Sequence, residues 1–307
     1  MFKRAKVLFL YTETPLHTGS GSSLSVVDLP IQRERHTNLP MVQASGLKGS
    51  LRDYAEQNYK NDANAKTKIT LVFGPEKDGS EHAGAISFTD ARLLLFPVRS
   101  LKGIFAWVTC PSVLQRFVRD LTIAGVSAKV DNKDLNVPSV SDNEALVTNT
   151  SEVIVDNKVV LEEFSFIAEK RSEADGIAKW ISENATPQSD EYKPWKEKIL
   201  KNLVILPDNA FRDFTEFSTE VIARTKIQTE TKTVAPGALW YEEHLPSDTL
   251  LYSLALASDP LGANKPNDFQ TANDVLKFIA DLQIDRFQLG GDETVGRGIV
   301  KLRILGG

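Results

Sequence analysis

Short apolar runs rich in β-forming residues recur along this chain without a strict alternation with helical segments. Residues 5–12 (AKVLFLYT) and 249–257 (TLLYSLALA) have the length and composition of buried strands. The closing segment, residues 298–305 (GIVKLRIL), has the same character. A regular βαβ repeat, which a parallel sheet requires, is absent from the pattern. The sequence therefore predicts an α+β fold, an antiparallel sheet with helices on one face and large insertions.

Helical signals separate these runs. From Ser45 the sequence GLKGSLRDYAEQNY places Leu47 and Leu51 on one helical face, and Pro111 begins a second helix that runs to about residue 124. A third helix is predicted at 272–282. The polar stretch 60–82 is predicted to be flexible. Two further strands are expected at 85–98 and 103–109.

The middle of the chain, residues 128–215, has the pattern of an insertion. It is predicted to contain a small hairpin across Asp156-Asn157, a charged helix near 167–184 and a helical region at 195–203. Residues 219–243 then alternate as strands do, with Pro236-Gly237 as the turn signal. The polar face of this hairpin could not be buried without leaving polar groups unpaired, so we expect the hairpin to project as an arm.

Composition limits the class of protein. The chain has 307 residues, 41% of them apolar, which is enough for a substantial core, and no apolar run is long enough to cross a bilayer. Its single cysteine, Cys110, excludes a disulfide framework and is typical of a reducing compartment. We therefore expect a globular cytoplasmic protein without a membrane partner.

The distribution of charge points to a polyanionic ligand. The formal net charge is -5, which as an average argues against nucleic-acid binding. However, residues 1–60 hold eight Lys/Arg against five Asp/Glu, and residues 219–234 and 286–307 are also net basic. This pattern fits a basic groove on an acidic body. The alternative is chance scatter of charge.

The segment from His17 to His36 has the strongest character of a site. Gly19 and Gly21 let the backbone approach a ligand closely, and Arg33, Arg35 and His36 supply donors suited to phosphate oxygens. A polyanion is the first ligand that this composition suggests.

Asp28 is an isolated carboxylate inside this basic segment, held in extended backbone by Pro30. One carboxylate can deprotonate a hydroxyl, orient it, or hold a Mg²⁺ ion whose remaining ligands are waters and phosphates. RNA carries a suitable hydroxyl beside every phosphodiester. The alternative is a turn residue that caps local backbone amides.

Two other segments could contact phosphate. Lys48 lies in the first turn of a predicted helix, where backbone amides favour an anion, although an ordinary solvated lysine fits equally well. Residues 289–298 combine four glycines with Arg297, but a tight connection is an equal alternative. The motifs of P-loop proteins, α/β-hydrolases and common zinc sites are missing. The histidines, at 17, 36, 82 and 244, could form a metal cluster only if the tertiary structure brought them together.

Several motifs together resemble one family. They are TPLHTGSG (14–21), VVDLPIQRERHTNLP (26–40), SGLKGSLR (45–52), GALWYEEHLP (237–246) and LGGDETVGRGIVKLRI (289–304). The resemblance runs from residue 5 to 305 and is to the RAMP-superfamily subunits that form the repeating backbone of type III-B CRISPR effectors, the Cmr complexes. One departure is the helix start, commonly G-x-S-L-K-G, which here reads ASGLKG at 44–49.

The resemblance implies a single RAMP domain over residues 1–307. Its parts would be an RRM-like (ferredoxin-like) palm at about 1–125 and 247–307, a helical insertion at about 128–215 and a thumb hairpin at about 219–246. Copies would stack along a CRISPR RNA beside other Cmr subunits, and each thumb would displace one nucleotide of the guide:target duplex. Target single-stranded RNA would then be cut at six-nucleotide intervals.

The resemblance also implies roles for individual residues. Asp28 would be catalytic, with the ribose 2′-OH as nucleophile and Mg²⁺ or Mn²⁺ as a cofactor that Asp28 could ligate. His17 would support it, and Glu242 or Glu243 could assist. The residues implied in RNA binding are Gln32, Arg33, Arg35, His36, Ser45, Lys48, Arg52, Arg224, Lys226, Trp240, Gly290, Gly291, Gly296 and Arg297. The alternatives are a non-catalytic RAMP backbone that only binds guide RNA and a small-molecule phosphate enzyme.

Overall fold

The structure is a computed structural model that describes residues 2–76, 82–262 and 265–306. Within these ranges it contains seven α-helices. They are α1 (Ala44–Asn58), α2 (Ala63–Phe73), α3 (Pro111–Ile123), α4 (Ser172–Asn184), α5 (Lys193–Asn202), α6 (Asp208–Phe217) and α7 (Ala272–Asp281). None of the helices in this part of the chain is both long and apolar enough to cross a membrane.

Seventeen strands accompany these helices in the same ranges. They are β1 (Arg4–Thr12), β2 (Met41–Val42), β3 (Ile86–Phe88), β4 (Ala91–Arg99), β5 (Phe105–Thr109), β6 (Lys129–Val130), β7 (Lys133–Asp134), β8 (Glu144–Val147), β9 (Ile154–Val155), β10 (Lys158–Leu161), β11 (Phe164–Lys170), β12 (Leu203–Ile205), β13 (Glu220–Ile227), β14 (Val234–His244), β15 (Leu250–Ala257), β16 (Arg286–Gln288) and β17 (Ile299–Leu305).

One 13-stranded sheet dominates the molecule, in the order β16-β17-β1-β15-β4-β5-β12-β8-β11-β10-β9, with β2 and β3 paired to β4 and β15. Leu8 of β1 faces Ser253 on one side and Ile304 on the other, both in antiparallel register. Residues 7–12 of β1 are all buried, as their continuous apolar run predicts for a strand covered on both faces. The first and last segments of the chain therefore meet in the middle of the core.

The mixed α+β class expected from the sequence is confirmed, but the sheet is not purely antiparallel. β5 pairs with β12 in parallel, and β8 pairs with β11 in parallel. Both parallel pairs involve residues 128–215, the insertion expected to hold helices and one small hairpin, and the hairpin across Asp156-Asn157 is present as β9 and β10. That segment holds strands β6 to β12 in addition to α4, α5 and α6. The charged helix expected near 167–184 is β11 up to Lys170 and helical only from Ser172.

Aromatic packing shows that this segment shares the core of the main sheet. Phe9 of β1, Phe117 of α3 and Trp180 of α4 form a cluster with ring centroids 5.3 to 6.2 Å apart. Edge-to-face pairs of this kind contribute about 0.5–1.5 kcal/mol each beyond the area they bury. The contacts join α4, in the insertion, to β1 of the main sheet.

Part of the stretch predicted to be flexible is ordered. Asp62 caps the amino end of helix α2, and its carboxylate accepts hydrogen bonds from the amides of Asn64 and Ala65. The helix buries Ile69 and Val72. Its Lys and Thr residues dilute the apolar pattern, and burial against neighbouring elements decides the conformation. Residues 77–81 of that stretch lie outside the described residues.

The expected hairpin is present, since β13 and β14 form a separate two-stranded sheet. Its turn spans residues 228–233, where the amide of Gln228 donates to the carbonyl of Thr233. Pro236 and Gly237, predicted to form the turn, lie inside β14 instead. A proline is tolerated there because one side of each strand in a two-stranded sheet needs no ladder donor.

Candidate functional site

The base of the hairpin is joined to the glycine-serine segment near the amino terminus. Leu16 and Leu245 exchange backbone hydrogen bonds of 2.9 Å. Leu29 pairs with the same strand by donating to the carbonyl of Tyr241 and accepting from the amide of Glu243, both at 3.0 Å. These contacts bring His17 and Asp28 to the end of β14. The structure thus brings together residues that lie more than 200 positions apart in the chain.

Asp28 is held by backbone groups. Its Oδ2 accepts a hydrogen bond of 2.7 Å from the amide of Tyr241, and its carbonyl accepts one of 2.8 Å from the amide of Ser23. The described residues provide no hydrogen-bond donor to its second carboxylate oxygen, Oδ1. Because the side chain is half-exposed, this oriented oxygen is accessible to a hydroxyl or to a hard cation.

His17 is buried and oriented by the strand. Its Nδ1 lies 2.7 Å from the carbonyl oxygen of Glu243, so this nitrogen carries the proton and donates to that carbonyl. Nε2 is left with a lone pair and lies 3.9 Å from Oε1 of Glu242. This distance is too long for a hydrogen bond.

The carboxyl-terminal glycine loop packs directly on His17. The amide of Gly291 donates to the carbonyl of His17 at 2.8 Å. Gly290 has a φ of +76°, and a Cβ there would lie 2.3 Å from the same carbonyl oxygen. Glycine is required at position 290 by close packing against protein, which accounts for it without a phosphate ligand.

The two adjacent glutamates of β14 have different environments, because successive side chains of a strand point to opposite faces. Glu243 accepts hydrogen bonds from the amide of Ile31 (3.0 Å), from Thr219 Oγ1 (2.9 Å) and from Arg33 Nη2 (2.5 Å). These contacts occupy both of its oxygens. Glu242 faces His17 instead, and burial together with the nearby carboxylate of Asp292 raises the pKa of Glu242.

A buried polar cluster surrounds Glu242, and sequence reasoning missed two of its members, His244 and Asp292. The guanidinium of Arg224 lies 3.3 Å from Glu242 and 3.1 Å from Asp292, and His244 Nε2 lies 3.6 Å from Asp292. The rings of His17 and His244 are 5.4 Å apart. The histidines are therefore not all scattered. The spacing of Glu242 and His244, two positions apart on a strand, was the available signal that they share a face.

Most of the arginines expected to bind RNA are engaged within the protein. Arg33 contacts Glu243 and also donates to the carbonyls of Asn38 and Thr215, and Arg52 contacts Glu56 and the carbonyl of Gly74. Arg224 is in the polar cluster, and Arg297 lies 4.0 Å from Glu220. By contrast, Ser45, Arg35, His36 and Lys226 are exposed, and Trp240 is half-buried.

Backbone amides at the start of α1 already donate hydrogen bonds to side chains of the protein. The amide of Gln43 donates to Oε1 of Gln32 at 2.7 Å, and the amide of Ala44 donates to the carboxylate of Asp90 at 2.8 Å. Lys48 donates to the carbonyl of Ile86 at 3.2 Å, and burial together with the charge of Arg52 lowers its pKa. The cation is therefore directed along the helix toward β3.

Glu34 anchors the basic segment to the body of the protein. Its buried carboxylate accepts hydrogen bonds of 2.7 and 2.9 Å from Arg116 Nη1, lies 3.7 Å from Arg92 and accepts a further hydrogen bond of 2.6 Å from Thr37. Burial alone would raise the pKa of Glu34, but the hydrogen bonds from Arg116 and Thr37 outweigh it and lower the pKa. The neighbouring Arg35 and His36 remain exposed.

The chain belongs to the RAMP superfamily, whose sequence pattern matches residues 9–301. Within that superfamily it is 44% identical over 304 residues to the CRISPR system Cmr endoribonuclease Cmr4 of Pyrococcus furiosus, covering 98% of this chain and 96% of the relative. It is 30% identical over 317 residues to the CRISPR system CMR subunit Cmr4 of Saccharolobus solfataricus, with the same coverage. It superposes on the crystal structure of oligomeric Cmr4 from P. furiosus with a TM-score of 0.73 at 39% identity, covering 98% of both chains. The family expected from the sequence motifs is confirmed.

Proposed function

We propose that this protein is the repeating backbone subunit of a type III-B CRISPR effector complex and the endoribonuclease that cuts its target RNA. The relative from P. furiosus is named a Cmr endoribonuclease, which supports the activity. The observation that carries the proposal in this chain is the position of Asp28 at the hairpin base, where Tyr241 donates to one carboxylate oxygen and no described residue donates to the other. The complex acts in the cytoplasm, consistent with the buried thiol of Cys110.

The sheet order supports an RRM-like palm. Strands β17, β1, β15 and β4 are consecutive and antiparallel, with α1 between β1 and β4 in the chain and α7 between β15 and β17. This is the connectivity of a ferredoxin-like βαββαβ unit. We assign the palm to about 1–125 and 247–307, the insertion to about 128–215 and the thumb to the hairpin at about 219–246.

Guide RNA is held mainly by exposed hydrogen-bond donors. Arg35, His36 and Lys226 form no ion pair within the described residues and can therefore reach phosphates directly, and Ser45 adds an exposed hydroxyl in α1. The remaining assigned residues shape this surface, namely Gln32, Arg33, Lys48, Arg52, Arg224, Gly290, Gly291, Gly296 and Arg297. Trp240, paired with Arg224 across the hairpin, is the aromatic that can stack on a displaced base.

Cleavage uses a hydroxyl already present in the substrate. Oδ1 of Asp28 accepts the proton of the ribose 2′-OH, and the 2′ oxygen attacks the adjacent phosphorus as the bond from phosphorus to the 5′ oxygen breaks. The leaving 5′ oxygen takes a proton from water, so the products are a 2′,3′-cyclic phosphate and a 5′-OH. The free carboxylate oxygen also fits a Mg²⁺ or Mn²⁺ ion, which prefers oxygen ligands and keeps several waters. Such an ion supplies stabilisation of the negative charge that develops on phosphate. Stacked copies, each with one Asp28, space the cuts at six nucleotides.

The test is the assembled complex carrying Asp28→Asn, with target RNA of matching sequence. We expect cleavage to fall by about 10²-fold or more, as for loss of a general base, with target binding unchanged. Asp142→Asn is the matched control, because Asp142 is exposed on the insertion. Cleavage at the wild-type rate with Asp28→Asn would instead support a backbone subunit that only binds guide RNA.

A further inference from the structure

Three potential metal ligands converge beneath the hairpin. One ligand atom from each of His17, Glu242 and His244 lies within 4.8 Å of the others. Glu242 and His244 come from one face of β14, and His17 comes from the loop after β1. All three residues are buried, and the side chain of His244 is fully so. This set of two imidazoles and one carboxylate is the donor set of many zinc sites.

Polar atoms in this cluster lack partners. Among the described residues, neither Nδ1 nor Nε2 of His244 has a hydrogen bond, although the side chain is fully buried. The carboxylate oxygens Oε2 of Glu242 and Oδ2 of Asp292 also lack a hydrogen bond within the described residues, although Arg224 Nε lies 3.3 Å from the first and His244 Nε2 lies 3.6 Å from the second. A buried polar group without a partner is costly, and such groups are rare in folded proteins. An additional species that contacts His244 would remove this cost.

The orientation of His17 is that of a metal ligand. Its Nδ1–H donates to the carbonyl of Glu243, which fixes the tautomer with the Nε2 lone pair directed inward, as backbone carbonyls do for zinc-bound histidines. Nε2 and Glu242 Oε1 are 3.9 Å apart. Two ligands each about 2.0–2.1 Å from one tetrahedral ion lie roughly 3.4 Å apart, so a small adjustment suffices. A Cβ at Gly19 would lie 2.8 Å from Nε2, so glycine keeps that side open.

The charges of the cluster also favour a cation. Arg224 is shared between Glu242 and Asp292. Two carboxyl groups therefore face a single guanidinium in the described part of the chain, and a metal cation would add a second positive partner.

We propose that His17, Glu242 and His244 bind one divalent d-block cation of the zinc class, with Asp292 beside His244 as a fourth ligand or orienting group. Imidazole ligands favour Zn²⁺ over Mg²⁺, so this site differs in chemistry from the oxygen ligand at Asp28. Its ligands come from the loop after β1 and from the hairpin base, and Asp292 lies in the carboxyl-terminal glycine loop. A bound ion would join these segments and stabilise the folded state by binding it selectively.

The test uses the purified full-length chain, treated with a chelator and then supplied with Zn²⁺, Mn²⁺ or Mg²⁺. We expect one Zn²⁺ per chain by elemental analysis after desalting, a raised Tm with Zn²⁺ and a smaller effect of Mg²⁺. His244→Ala and Glu242→Gln should abolish stoichiometric retention and the shift in Tm. His82→Ala, a histidine outside the cluster, should retain both.

The Tm of each protein without metal is the control that shows whether the variant is folded. His244→Ala removes an unpaired buried imidazole and leaves a cavity. Without metal, the Tm of this variant should therefore fall below that of the parent only by the cost of that cavity. Retention of zinc by folded His244→Ala, or a parent chain that neither retains Zn²⁺ nor gains Tm, would overturn the proposal. RNA cleavage is not a readout, so a failure of the proposed function would leave this result unaffected.

Discussion

Oδ2 of Asp28 accepts a 2.7 Å hydrogen bond from the backbone amide of Tyr241, a residue 213 positions away in the chain. The donor belongs to the hairpin and the acceptor to the basic amino-terminal segment. Because the donor is a backbone group, the contact does not depend on which side chain occupies position 241. The position of the carboxylate therefore depends on how the hairpin base docks.

Removing this amide should impair cleavage without removing the carboxylate. In Tyr241→Pro the donor to Asp28 is lost, and since that amide points away from β13, a proline is compatible with the hairpin. We expect target cleavage by the assembled complex to fall about tenfold to a hundredfold, as expected for a misplaced catalytic group.

Leu239→Pro is the control for that experiment. Leu239 lies two positions earlier on β14, so its amide points to the same side, and its side chain is exposed. Cleavage should stay close to the parent rate. Equal losses in the two variants would show that the hairpin, and not the hydrogen bond to Asp28, was affected.

Alanine substitutions at two glycines of one loop should distinguish the cost of backbone strain from the cost of a clash with His17. Gly290 and Gly296 have φ of +76° and +75°, but only a Cβ at 290 would meet other atoms, at 2.3 Å from the His17 carbonyl. Gly296→Ala should cost about 1–2 kcal/mol in the free energy of unfolding from the left-handed backbone alone. Gly290→Ala should cost about 1–3 kcal/mol more from overpacking. Urea titration measures both, and equal costs would contradict the packing of Gly290 on His17.

Loss of the Glu34 carboxylate should destabilise the fold. Glu34→Gln leaves Arg116 without its buried ionic partner, which we expect to lower the free energy of unfolding by about 3 kcal/mol. Glu56→Gln removes a more exposed partner of Arg52 in α1 and should cost about 0.5 kcal/mol. A similar effect of the two changes in urea unfolding would argue against the buried pair.

The same carboxylate should contribute to acid sensitivity. The pKa of Glu34 is lower in the folded state than in the unfolded chain, so its stabilisation is complete above the unfolded value of about 4.3. It is lost as the pH falls through the lower, folded pKa. At neutral pH the free energy of unfolding should therefore be larger for the parent than for Glu34→Gln, and this difference should disappear below about pH 4. An advantage independent of pH between 7 and 3 would contradict this assignment.

Neighbouring arginines should respond differently to truncation. Arg35 is exposed, so Arg35→Ala should weaken RNA binding and reduce the slope of log affinity against log salt by about 1, with little change in Tm. Arg33 pairs with buried Glu243, so Arg33→Ala should mainly lower the Tm. Filter binding over a salt series, with melting curves for each variant, distinguishes the two. An unchanged salt slope for Arg35→Ala would exclude its contact with phosphate.

Local patterns located the principal elements well where the apolar period was strong. Strand β1 and helices α1, α3 and α7 lie where the residue pattern indicates, and the hairpin lies within the segment predicted for it. The pattern failed at α2, where lysines and threonines mask the apolar face, and at the hairpin turn, where Pro236-Gly237 lies inside a strand. Both failures arise because burial and strand register, which are tertiary properties, outweigh local propensity.

The sequence by itself determined the α+β class, the family and the segments that form the site, because apolar periodicity and motif order are local properties of the chain. The tertiary structure decided which charged side chains are exposed to solvent and which polar side chains contact one another. Burial of Glu243 commits Arg33 to an ion pair, whereas Arg35 two positions later stays exposed. Strand alternation sends Glu242, and not Glu243, toward His17, and the docking of β14 adds His244. Such pairings depend on distances between segments far apart in the chain, which no local pattern encodes.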